Sequence, residues 1–133
     1  MSSNITNAGG EAMLRGEIDF KNDVIRAILL DNAPSAETTA NLAQIEAGRI
    51  GADQVLQNVE VAGGWVKSDN ITFAGLPTNL LAVSVALYKW TGAADSSPVI
   101  AIFDDVTGFP RITTDGAVMV SVQSGWFRLK RSV

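Results

Sequence analysis

The stretch Leu80 to Trp90, LLAVSVALYKW, is the longest run in the chain with a period of two, and it restricts the fold more than any other segment. Alternate residues of a strand face opposite sides. Leu81, Val83, Val85 and Leu87 therefore share one face, and Leu80, Ala82, Ser84, Ala86, Tyr88 and Trp90 share the other. The first face is plain core. The second carries small residues and then two aromatics, so it too is expected to be covered. A strand apolar on both sides belongs in the middle of a sheet, with the shorter apolar runs before and after it as neighbours.

Those runs are readable in order. Asp23 to Asp31, DVIRAILLD, is a first strand in which Arg26 stands among apolar residues, so either that end is exposed or Arg26 meets a carboxylate. Val55 to Val61 alternates, with Val55, Gln57, Val59 and Val61 on one face, and predicts a half-buried strand. Gly63-Gly64 is a turn into Trp65 to Ser68, and Asp69-Asn70 a second turn before Ile71 to Phe73. TGAADSS at 91 to 97 reads as a hairpin loop returning into Val99 to Phe103, apolar at every position. Asp104 to Pro110 is a loop, Thr114-Asp115-Gly116 a tight turn, and Ala117 to Val122 and Trp126 to Lys130 are the last strands.

Helical signals are few. Glu11 to Arg15 predicts a short helix capped by Asn7 and ended by Gly16, and Ala36 to Ala47 a second, with Leu42 and Ile45 three apart and Gly48 as its stop. Residues 1 to 10 are polar, without periodicity, and are expected to form a flexible arm. The expected fold is mainly β: a single-domain antiparallel β-sandwich or barrel of about seven or eight strands with one or two short helices, spanning 11 to 133.

Composition excludes several chemistries. The 133 residues contain no cysteine and no histidine, which removes disulfides, thiolate and imidazole metal sites, and Ser/His/Asp or Cys/His catalysis from this chain. A net charge of −4 weighs against nucleic acid as a partner. The basic group Arg128, Lys130 and Arg131 reads as the solvated side of the last strand. No apolar run reaches the roughly 18 to 20 residues of a membrane span, and the N-terminus lacks the regions of a signal peptide, so a soluble chain is expected.

Asp104-Asp105, and Asp19 with Asp23, lack the alternating acidic spacing of a dedicated calcium loop, and Gly48-Arg49-Ile50-Gly51 is a turn rather than a phosphate loop. No catalytic, cofactor or metal residue is assigned, and a non-enzymatic role is expected. The candidate interface residues are Trp65, Trp90, Trp126 and Arg128, with Trp126 on the same face as Arg128 and Lys130 if the last strand is regular. The same tryptophans could instead form a glycan-binding surface.

Taken in order, Gly16-Glu17-Ile18-Asp19, DVIRAILLD at 23 to 31, ITF at 71 to 73, ALYKWTG at 86 to 92, PVIAIFDDVTGFP at 98 to 110, TDGAVMVSV at 114 to 122 and GWFRL at 125 to 129 resemble a family of small virion structural proteins of tailed bacteriophages. Residues 33 to 52 depart from that pattern. The resemblance implies a virion location and a capsid decoration or cement protein. It would bind the major capsid protein or other virion proteins and associate with itself, without cofactor, nucleic acid or membrane. A tail or head-tail connector component is the alternative, and no individual functional residue is carried over.

Overall fold

The computed structural model describes residues 5–106, 108–113, 117–122 and 125–128. The described chain is mainly β. One helix, α1 (Asn7–Leu14), precedes β1 (Ile25–Leu30), and short 3-10 turns at Leu42–Gln44 and Glu46–Gly48 lead to β2 (Gln54–Val55). Next come β3 (Glu60–Ala62), β4 (Trp65–Lys67), β5 (Ile71–Ala74), β6 (Leu81–Ala82) and β7 (Ser84–Lys89). A 3-10 turn at Ala94–Ser96 precedes β8 (Val99–Phe103), β9 (Arg111–Ile112), β10 (Ala117–Val120) and β11 (Phe127–Arg128). All strand pairing is antiparallel. The expected mainly β architecture is present as open sheets rather than a closed barrel, and its strands are more numerous and shorter than the seven or eight expected.

The centre is a four-stranded sheet in the order β2-β1-β7-β8. Ile25 to Leu30 pair residue for residue with Lys89 to Ser84, so two of the apolar runs of the chain lie side by side. Both faces of this sheet are covered, as its alternation demands. Ile25, Ala27, Leu29, Val85, Leu87, Ala101 and Phe103 face a large core completed by Ile71, Phe73, Val118 and Val120 of β5 and β10 and by Val66, Trp126 and Phe127 near β4 and β11. Ile28, Leu30, Ala86, Tyr88 and Ile102 face a smaller core closed by Leu42 and Ile45. Burying such a side chain contributes roughly 1.5 to 3 kcal/mol, and β1, β7 and β8 supply most of the largest fully buried ones.

The central run is not one strand. It breaks at Val83, whose N–H turns to the Leu30 carbonyl, and β6 pairs with β9 in a separate two-stranded ribbon. Leu81, expected in the core, is 46% exposed as a result. The left-handed conformation of Asn79 (φ 65) redirects the chain just before this ribbon.

Four further expectations are corrected. Residues 5 to 10 are not an arm: Ile5 bridges Ala101, and the Thr6 N–H and hydroxyl bond the carbonyls of Ile100 and Val99 at 3.0 and 2.6 Å. The cap of α1 is Thr6, whose Oγ1 accepts from the Gly9 N–H at 2.8 Å, and Asn7 lies inside the helix; Gly16 (φ 73) follows the helix in the left-handed conformation, as expected. The segment 36 to 47 is no α-helix, because its two apolar residues three apart fit the three-residue repeat of a 3-10 turn equally well. Finally, Val55 to Val61 is interrupted at Asn58 (φ 54), so Leu56 is buried while Val55 and Val61 stand exposed, the reverse of the expected faces. Thr114 to Gly116 lie outside the described residues.

Candidate interaction surface

The sequence offered three tryptophans and one arginine as surface, and the structure separates them. Trp126 is fully buried. Its indole lies 5.4 Å from the Phe103 ring at 47°, its Nε1 donates to Ser68 Oγ at 2.8 Å, and its backbone N–H donates to the Val66 carbonyl at 2.7 Å. The expected exposed face fails because Trp126 sits in a bend before β11 rather than inside a regular strand, and Trp126 and Phe127 are both buried, so this segment is covered on both sides. Ser68 supplies the acceptor that a buried indole needs. The Arg128 side chain, and all of Lys130 and Arg131, lie outside the described residues.

Trp65 is half-buried against Gly125, where an added Cβ would lie 2.9 Å from the indole Cε3. Trp90 is also half-buried, but it packs on the smaller core, across the central sheet from Trp126. Arg26 answers the question its position raised. Its guanidinium carbon lies 4.6 Å from the centroid of Trp90, so an aromatic face rather than a carboxylate takes the charge, and its Nε is buried without a hydrogen-bond partner. The three indoles form no common platform.

Beside this stack lies a polar network. The Arg49 Nε and Nη2 donate to the two oxygens of Asp53 at 2.8 and 2.9 Å, and the Tyr88 hydroxyl donates to the same carboxylate. The bidentate geometry raises the Arg49 pKa. Burial, reinforced by the bond to Asp53, pushes the Tyr88 phenol up to about 12. Arg26 pulls it the other way and loses. Because the folded-state pKa lies above the unfolded one, the stability from this shift is complete below pH of about 10 and is lost as pH rises toward about 12. Tyr88 is the only tyrosine in the chain. A spectrophotometric tyrosinate titration should therefore show one transition near pH 12 in the folded protein and near 10 in denaturant; a folded-state midpoint at 10 would contradict this network.

No group of three or more acidic residues placed to hold a metal occurs among the described residues. Asp19 forms turn chemistry, accepting from Asn22 Nδ2 at 2.7 Å and from the Lys21 N–H at 3.0 Å, and these bonds lower its pKa. Asp23 pairs with Lys89 at 3.1 Å. A groove of about 380 Å³ runs between α1 and the β7–β8 loop, with charges of both signs along it from Glu11, Arg15, Glu17, Lys89 and Asp95. No helix among the described residues is long and apolar enough to cross a membrane.

What the sequence missed is the apolar surface. Leu81 and Ile112 are direct cross-strand partners on the β6–β9 ribbon and are 46% and 56% exposed, with Leu80 beside them at 37%. Val61 on β3 and Met119 on β10 are similarly uncovered. The signal for the ribbon was Pro77 to Asn79, a chain-reversing stretch directly ahead of Leu80. No family model, no curated protein and no solved structure matches this chain.

Proposed function

We propose that this chain is a non-enzymatic structural protein of a tailed-phage particle, a decoration or cement subunit that binds the head lattice through major capsid protein in many copies. The observation that carries this reading is the β6–β9 ribbon, whose paired Leu81 and Ile112 side chains project into solvent from a short, otherwise unpaired sheet. With Leu80 beside it the pair forms a contiguous apolar surface, the kind of material from which the core of a protein contact is built. The ordered resemblance to virion proteins supports the same reading, since its stretches supply β1, β5, β7, β8, β10 and β11.

The binding chemistry is apolar burial multiplied by repetition. A single contact of this size is weak, and a lattice presenting many identical sites converts it into firm attachment. Quantitative mass spectrometry of purified particles should find the chain in numbers comparable to the coat subunit. A few copies per particle would instead make it a tail or connector component. Leu81→Asp combined with Ile112→Lys, which places opposite charges across the pair, should lower particle occupancy at least tenfold at fixed concentration, since losing about 1.4 kcal/mol already gives that factor. The melting temperature should hold, because both side chains are already exposed; unchanged occupancy would remove the ribbon from the contact.

A further inference from the structure

We propose that β3 is a strand through which two copies of this chain pair, antiparallel, about a twofold axis at Val61. The inference is independent of the virion reading, because it rests on the hydrogen-bonding groups of one edge strand.

β3 ends the sheet β11-β4-β3, and all three of its residues are exposed. Its backbone polarity follows from its neighbour. The Val66 carbonyl accepts from the Trp126 N–H, so that peptide group points toward β11 and away from β3. Val61 is the cross-strand partner of Val66, and in such a non-bonded pair its own N–H and C=O point outward, away from β4. The two-residue Gly63-Gly64 hairpin, with both glycines at positive φ, gives the same phase, because the flanking Ala62 and Trp65 form the bonded pair. One free donor and one free acceptor on the same residue are self-complementary. Val61 of one copy can exchange both bonds with Val61 of a second.

The side chains allow this register and disfavour its neighbours. With Val61 on the axis, Glu60 faces Ala62 of the second copy and is already opposite Lys67 in its own hairpin, so no like charges oppose. Pairing centred on Glu60 would set two carboxylates face to face. Beyond Ala62 the approaching chain is Gly63, and an added Cβ there would meet nothing within 4 Å, so no bulk blocks the approach. Val61 projects on the same side as buried Val66, yet it is 61% exposed and borders a cleft of about 290 Å³ with Lys21, Val59 and Glu60. Two Val61 side chains across the axis would cover each other at that cleft. Pairing three residues on each side buries less than the roughly 1,000 Å² of a stable dimer, so the contact operates where copies are already concentrated.

The chain has no cysteine, which makes a disulfide trap clean. A hydrogen-bonded antiparallel pair has Cα atoms about 5.5 Å apart, inside the range a disulfide spans. Val61→Cys should therefore form a covalent dimer under mild oxidation. Ala62→Cys should not, since two such residues would lie about 8 Å apart on the paired strands. The expected result is at least tenfold more dimer from Val61→Cys than from Ala62→Cys, with both variants melting like the parent. Equal yields, or no dimer from Val61→Cys at high protein concentration, would overturn the pairing.

Discussion

Gly9→Ala is expected to destabilise the protein by about 2 to 3 kcal/mol, while Gly10→Ala, one residue along the same helix, stabilises it by about 0.5 to 1 kcal/mol. Alanine is the better helix former at both positions, so propensity alone predicts a gain twice. The surroundings decide otherwise. An added Cβ at Gly9 would lie 2.4 Å from the Ile100 carbonyl oxygen, 2.7 Å from the Ile100 Cα and 2.8 Å from Thr6 Oγ1. At Gly10 the nearest atom is Ile5 Cγ2 at 3.9 Å. The obstacle at Gly9 is backbone of a buried strand and has no rotamer to yield. Ile100 is also the extra residue where the β7–β8 register shifts between Leu87 and Tyr88, so its carbonyl is free to receive the Thr6 N–H. Moving α1 outward to admit a methyl group would break that bond. Urea unfolding of both variants measures the contrast, and a Gly9→Ala midpoint at or above the parent's would refute the docking geometry.

Trp126→Ala is expected to cost about 3 to 5 kcal/mol, the range for emptying an aromatic site in a core. Trp90→Ala should cost less than half as much, because Trp90 is half-buried and gives up chiefly its stack with Arg26. Trp126→Phe retains the contact with Phe103 but drops the Nε1 bond to Ser68, and should fall between parent and Trp126→Ala. Chemical denaturation separates the three. Equal small losses for Trp126 and Trp90 would return Trp126 to the surface where alternation alone had set it.

The parts of this fold legible in the sequence are those where one physical effect dominates. β1, β7 and β8 announce themselves because continuous apolar runs have no stable alternative to burial on both faces. The hairpin at Gly63-Gly64 was readable because two adjacent positive-φ positions suit few other residues. The rest depended on single residues that leave the regular conformation. Asn58 turns one alternating stretch into two short strands with inverted exposure, and Asn79 precedes Leu80 and Leu81, which stay at the surface. The candidate surface was hidden for the same reason. An exposed Leu81 and a buried Trp126 both contradict the local pattern, and only the long-range pairing partners decide which side faces water.

The pairing of β1 with β7 also sets the order of events during synthesis. Residues 25 to 30 emerge early, but the strand that covers their edge is residues 84 to 89, and Thr6 must wait for Val99 and Ile100. While residues 31 to 83 are made, about two-fifths of the chain, this apolar hexapeptide has no native neighbour on its long edge, and closing that gap must precede most of the core. Truncation anywhere before Ser84 therefore leaves IRAILL uncovered, and nascent or shortened chains are expected to be aggregation-prone in a way the finished protein is not.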